Sequence, residues 1–401
     1  MSNIKISFKV KDLNICSVAS KNGEKSMEIR TQGDLLSISV LYDYDTRPLV
    51  LSSVVKLRDV VEVIFLDYRI ELYINGVIMD EEWPFGNRLF KIGDSFSGSI
   101  DLQVSEYTEE SKVLPCVIST FENAEGWYPK NGVFVGDCMP YVRDGEYHVL
   151  YLKDRHHHRS KWGSGAHQWE HISTKDFKTW SIHPMAVPIT KGEEGSICTG
   201  SWIRRGGTEY LFYTIRRLGG LPATISRSVS TNGYHFEKDS NFGFEVSGKY
   251  NGQVARDPKV FLGDDGKYHM ILTTVLIEEN KGCLAHYVSE DLDNWIECDA
   301  PIYTVANSDH PECPDYFKYN GWYYLVFSLR GRARYLVSRK PFEDFTSVDD
   351  IFIPCAGVPK CAEWKGRLIF AGFNAIDGYA GKMTFKASRS LDNGVLVFED
   401  L

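Results

Sequence analysis

The stretch that decides the fold reads Gly266-Lys-Tyr-His-Met-Ile-Leu272 and, after a short gap, Val288-Ser-Glu-Asp-Leu-Asp-Asn-Trp295. A glycine opens onto an aromatic–apolar strand, a second strand follows, and the phrase closes on Ser, Asp and an aromatic ring. It recurs as Gly145–Tyr151 with His171–Trp180, as Gly207–Tyr213 with Arg227–Phe236, and as Gly321–Phe327 with Val337–Phe345. A shortened fifth copy begins at Gly366-Arg-Leu-Ile-Phe370. A self-similar period of roughly 50–60 residues marks the blades of a β-propeller. Each small twisted sheet leaves a face uncovered when alone, and radial stacking covers it. Four clear copies and a partial one predict five blades, with an N-terminal strand available to complete the last. The plainer alternative is a run of β-hairpins.

Working outward, residues 1 to about 118 lack the phrase. They show alternating runs such as Leu36-Ser-Ile-Ser-Val-Leu41 and Val61-Glu-Val-Ile-Phe65, and a hairpin signal at Asn75-Gly76. The expected fold class is all-β, a five-bladed propeller preceded by a β-sandwich-like segment. Residues 1–115 form the sandwich-like part and 116–401 the propeller, with the junction near Glu109–Pro115. At 401 residues the chain is long enough for two cores.

Hydrophobic content of 43% and charged content of 25% are those of an ordinary globular protein. A net charge of −9 argues against nucleic acid as the main partner. No apolar run is long enough for a spanning helix, and the first residues carry no apolar signal core. A cytoplasmic location is expected, with no membrane association. Nine scattered cysteines form no paired metal spacing, so they are expected to be free thiols, and neither metal nor organic cofactor is expected. Oligomeric state is not readable.

Three acids stand just ahead of blade strands: Asp137 in Val135-Gly-Asp-Cys-Met-Pro140, Asp257 in Val254-Ala-Arg-Asp-Pro-Lys-Val-Phe261, and Glu312 in Pro311-Glu-Cys-Pro-Asp-Tyr-Phe317. In a propeller the inner strands converge on one end of a central channel, so these acids would meet although far apart in sequence. Converging carboxylates are what a retaining glycosidase needs: a nucleophile and an acid/base at roughly 5 Å. Crowded like charges also drive pKa values apart. Taken one at a time, each acid also fits a surface turn, where Asp-Pro steps are common.

Here the chain resembles the glycoside hydrolases of family 32, the invertase, inulinase and levanase group. The carriers are Ala255-Arg-Asp-Pro-Lys-Val-Phe261, Pro311-Glu-Cys-Pro-Asp-Tyr-Phe317, Gly195-Ser-Ile-Cys-Thr-Gly-Ser-Trp202 and the stretch Lys161–Trp180. The resemblance implies Asp137 as nucleophile, Glu312 as acid/base, and Asp257 with Arg256 as stabiliser of the sugar ring. It also implies that Trp162, Gln168, Trp169 and Ser201 line the pocket. The family's Trp-Met-Asn-Asp-Pro-Asn-Gly is represented by Val-Gly-Asp-Cys-Met-Pro-Tyr, and its sandwich usually follows the propeller rather than preceding it. The implied activity is hydrolysis of terminal β-fructofuranosyl units from sucrose, fructo-oligosaccharides or related fructosides by double displacement. The alternatives are an arabinofuranosidase- or xylosidase-like five-bladed glycosidase and a non-catalytic sugar-binding propeller.

The run Arg155-His-His-His-Arg159 invites a metal reading, but adjacent residues on a strand alternate faces. A solvated loop at the pocket rim is expected instead. A second reading has Arg155 and Arg159 gripping an anionic leaving group.

Overall fold

The structure, a computed structural model, describes residues 3–21, 24–108, 117–120, 127, 129, 132–160, 165–348, 352–355 and 357–401. Every named element is a β-strand, and no helix among the described residues is long and apolar enough to cross a membrane. Two five-stranded antiparallel sheets come first. One runs Gln103–Glu106, Ile4–Lys9, Val60–Phe65, Ile70–Ile74, Val77–Glu82. The other runs Asp45–Val54, Leu35–Tyr42, Glu24–Gln32, Cys16–Lys21, Ser95–Gly98. Alternate residues of both sheets, among them Ile6, Ile29, Ile38, Leu51, Val63 and Leu72, close one apolar core. This is the sandwich arrangement that period-two alternation requires. Asn75 and Gly76 both have positive φ, as a two-residue hairpin turn demands.

Five meanders follow. The first is Val133–Arg143, Glu146–Arg155, Gln168–Thr174 and Thr179–Ile182; the second Glu194–Arg205, Thr208–Arg217, Thr224–Ser230 and Glu237–Lys238. The third is Arg256–Leu262, Tyr268–Leu276, Lys281–Ser289 and Ile296–Glu297; the fourth Glu312–Tyr319, Trp322–Leu329, Arg332–Ser338 and Thr346–Ser347. The fifth is Lys360–Trp364, Arg367–Ala375, Gly381–Ser390 and Leu396–Glu399. The five leading strands, called inner strands below, touch one another in order, and the fifth touches the first. The fifth meander supplies four strands of its own and needs no N-terminal strand. Val117–Thr120 instead pairs with Thr179–Ile182 at the outer edge of the first. The expected junction at Glu109–Pro115 lies outside the described residues.

The closing Ser, Asp and aromatic phrase is a turn device. In the third copy Ser289 Oγ accepts the Leu292 N–H, and Asp291 Oδ1 accepts those of Asp293 and Asn294. The first copy repeats this with Thr174 and Asp176, the second with Ser230 and Asn232. Short polar side chains mimic backbone at such corners, which is why the phrase recurs.

A second repeated feature positions the site. Each of the first four inner strands carries a register shift in its pairing with the next strand. The shifts lie between Val135 and Cys138, Ile197 and Gly200, Arg256 and Lys259, and Glu312 and Asp315. Such bulges bend a strand and re-aim its side chains. They also explain the prolines: Pro258 and Pro314 sit where the ladder is interrupted, so their missing N–H costs nothing.

The two parts of the chain meet through charge and an apolar anchor. Glu81, on the strand Val77–Glu82, lies 2.5 Å from Lys153 Nζ and 3.1 Å from Arg155 Nε. His156 Nε2 lies 2.8 Å from Asp80 Oδ1, and Trp83 is buried with Met139, Leu152 and Trp169. The histidine run is therefore not a solvated rim. Arg155 is buried on Glu81 and the Met79 carbonyl, and of the two arginines only Arg159 is exposed.

Candidate active site

Glu312, Asp257 and Asp137 do not occupy equivalent places in their bulges. Aligned on the register shifts, Glu312 is the last paired residue before its bulge, Asp257 the first unpaired residue, and Asp137 the second. Three successive offsets on three different strands aim three carboxyls at one neighbourhood.

Cys313 joins them. It adopts a left-handed conformation (φ 51°), as does Asp257 (φ 60°). Its N–H donates to Asp257 Oδ2 at 3.0 Å, and its thiol lies 3.5 Å from the same oxygen and 3.3 Å from Asp137 Oδ2. Asp137 is further held by the Thr199 hydroxyl on Oδ2 and by the Tyr379 hydroxyl on Oδ1 at 2.8 Å. Arg256 completes the chain: Nη2 donates to Glu312 Oε1 at 2.8 Å and lies 3.0 Å from His310 Nδ1, while Nε is 3.6 Å from Asp257 Oδ2. Asp137 and Asp257 are buried, whereas the Glu312 side chain is 43% exposed.

Burial raises the Asp257 pKa, Arg256 opposes it, and the Asp137 charge adds to it. Burial works against the Arg256 charge, but Asp257 and Glu312 outweigh it and raise that group. Burial and the two aspartates lift the Cys313 thiol well above its ordinary value, so it stays a donor. Burial and then Asp137 do the same for the Tyr379 phenol.

A cavity of about 210 Å³ opens at this end, with Arg216, Arg256, His310, Glu312 and Cys198 in its walls. A larger one, about 420 Å³, lies farther along the same inner strands, between Met139, Ser201, Lys259, Asp315 and Lys360. The smaller cavity is the one that reaches the acid network; the larger touches none of the three acids.

Of the other expected pocket residues, Trp162 lies outside the described residues. Gln168 is buried, its Oε1 accepting the Ile189 N–H at 2.9 Å. Trp169 belongs to the core: it is fully buried, stands edge-on to Tyr213, and donates Nε1–H to the Cys198 carbonyl at 3.0 Å. Ser201 ties two inner strands together, donating to the Pro258 carbonyl and accepting the Val260 N–H, and lines the larger cavity. Thr199, Tyr379, His310 and Arg216 were not foreseen: Thr199 lies inside the Gly195–Trp202 motif and His310 beside the Pro311–Phe317 one, but neither was singled out, and Tyr379 and Arg216 have no local motif around them.

His148, His171 and His183 could hold a metal, since one ring nitrogen of each lies within 4.8 Å of the others. His148 Nδ1 faces His171 Nε2 at 3.0 Å, and the third meander repeats this pair as His269 and His286 at 2.9 Å. Burial pushes His148 down to about 3 and His183 to about 4, so these rings are neutral and stack within the sheet faces.

The sequence model of the glycosyl hydrolases family 32 N-terminal domain matches residues 137–348, beginning on Asp137 itself. The chain is 26% identical to a sucrose-6-phosphate hydrolase of Vibrio alginolyticus over 46% of its length and 39% of the relative's. It is 26% identical to an Escherichia coli sucrose-6-phosphate hydrolase over 63% of its length and 58% of the relative's. The chain thus spans less than two thirds of the curated relatives it matches. Among solved structures, fructan 1-exohydrolase IIa of Cichorium intybus superposes with a TM-score of 0.58 at 18% identity, covering 69% of this chain and 60% of that one. That likeness concerns the fold. The family match takes in the Arg-Asp-Pro and Glu-Cys bulges with their acids and more than half of the chain, which therefore belongs to glycosyl hydrolases family 32.

Proposed function

We propose that this protein is a retaining β-fructofuranosidase, releasing terminal fructofuranosyl units from sucrose, fructo-oligosaccharides or a related fructoside. The observation that carries the reading is the unbroken network Asp137–Cys313–Asp257–Arg256–Glu312 at one end of the inner strands. Asp137 attacks the anomeric carbon and forms the glycosyl–enzyme. Glu312, the open member of the three, protonates the leaving oxygen and then draws a proton from water. Asp257 accepts from the ring hydroxyls, and Arg256 holds Asp257 and Glu312 in register. The architecture proposed with it is a closed five-bladed propeller over residues 116–401, preceded by a sandwich over 1–115. The cyclic contact of the five inner strands supports the closure. The 210 Å³ cavity is small beside the roughly 300–1,000 Å³ of drug-sized pockets, which favours one terminal sugar unit.

Leaving-group dependence tests the assignment. Glu312→Gln is expected to cripple hydrolysis of sucrose far more than that of an aryl fructoside, whose leaving group needs no proton. Equal losses would remove Glu312 from the acid role. A screen of sucrose, sucrose 6-phosphate, kestose, inulin, levan and arabinosides sets the substrate, and the anomer of the first product separates retention from inversion.

A further inference from the structure

Tyr379 stands between the second and third strands of the fifth meander, far from Asp137 in sequence, yet its hydroxyl makes two bonds to that residue. It donates to Asp137 Oδ1 at 2.8 Å and accepts the Asp137 N–H at 3.2 Å. Gly136 makes room for it: a Cβ there would lie 2.5 Å from the hydroxyl oxygen. The opposite face of the tyrosine rests on the histidine run. The His158 ring lies 4.0 Å from the Tyr379 ring and that of His167 5.3 Å, while His157 Nδ1 is 2.5 Å from the Tyr379 carbonyl.

That run is itself held in an unusual form. His156, His157 and His158 have φ of 70°, 49° and 64°, three left-handed residues in succession without a glycine. Such conformations persist only where surroundings over-determine them, and they gather at functional sites. Here the surroundings are Asp80 against His156, Glu81 and the Met79 carbonyl against Arg155, and Asp154 accepting the His158 N–H.

We infer that Tyr379 is a positioning residue for the Asp137 carboxylate, and that the N-terminal sheets set its place through the turn Arg155–His158. This rests on Asp137 being the nucleophile. The phenol gives Oδ1 a donor, as Thr199 and Cys313 give Oδ2 theirs, and Gly136 is required so that the phenol can approach. The N-terminal sheets then serve the reaction without touching substrate.

The test compares Tyr379→Phe, His158→Ala and Asp137→Ala with the wild-type chain on 4-nitrophenyl β-fructofuranoside, with kcat and KM measured separately and thermal melting as the check on folding. Phe keeps the ring on His158 and removes only the hydroxyl. Tyr379→Phe is expected to melt near the wild type and to lose roughly ten- to a hundredfold in kcat with KM little changed, because the hydroxyl holds the attacking carboxylate and not the sugar. His158→Ala lowers kcat in the same way by less. Full activity in Tyr379→Phe, or a loss that falls on KM with kcat kept, overturns the inference while an inactive Asp137→Ala leaves the nucleophile standing. Turnover by Asp137→Ala, or none by the wild type, sinks the fructofuranosidase reading itself.

Discussion

Cys313 places one thiol between two aspartates, where a weak donor kept protonated by burial can serve either. Replacing it by Ser retains a donor. Replacing it by Ala removes the one hydrogen the two carboxylates share, so C313A is expected to lose more activity than C313S, measured as kcat/KM on the same substrate. Asp257 carries a pH consequence. Its pKa is raised, and below it the group is protonated and cannot hold charge against the sugar. The acid limb of activity should therefore lie above the ordinary aspartate value of 3.8, and Arg256→Gln should move it higher still, because the charge opposing the rise is gone. Legibility at this scale followed locality. Arg256, Asp257 and Glu312 lie in contiguous motifs and were readable; Asp137 was singled out as standing ahead of a strand, but it lies within Val133–Arg143, in that strand's bulge. Tyr379 is one of 22 tyrosines and meets the site only through the fold. Trp169 was expected at the pocket from the family resemblance; the sheet instead turns it into the core.

The bulge is the element that converts a strand into part of a site. In each of four inner strands two unpaired residues stand against one on the partner strand, and the interrupted stretch carries Asp137, Thr199, Asp257 or Cys313. From the sequence, Asp257 was expected just ahead of its strand. The strand in fact begins at Arg256 and is broken at the proline, because proline's missing N–H signals a gap in the ladder as readily as an end. Pro258→Ala is accordingly expected to lower stability by only about 0.4–1 kcal/mol, through the freer unfolded chain, in a urea titration. A loss well beyond that would mean the proline ring itself is packed. The blade repeat was legible because its turns are local, each built by Ser, Thr, Asp or Asn on its own backbone. The bulges were not, since they exist only as a mismatch between two strands.

Across the whole molecule, the N-terminal sheets and the meanders are joined by a buried carboxylate facing two cations. Burial opposes the Glu81 charge, but Lys153 and Arg155 outweigh it and hold its pKa at about 2, below the ordinary 4.5. A depressed acid contributes stability that is complete above its unfolded pKa and lost as pH falls through the folded one. The junction should therefore weaken between about pH 4.5 and 2, seen as a falling melting temperature. Glu81→Gln, which strands two buried cations, is expected to cost about 3–5 kcal/mol at neutral pH and to flatten that acid dependence. The order of the parts was legible from where the repeat begins, but their joint was not, because Asp80, Glu81 and the histidine run look like surface residues until they are set together. The four interrupted strands have one more consequence. A residue inside a bulge is not counted by the ladder, so exchanging it leaves every cross-strand partner where it was. The chain thus keeps a set of sockets whose occupants can be swapped independently of the ladder. New chemistry on this frame should arise first at positions 137, 198–199, 257–258 and 313–314, while Gly136 stays fixed by the Tyr379 hydroxyl beside it.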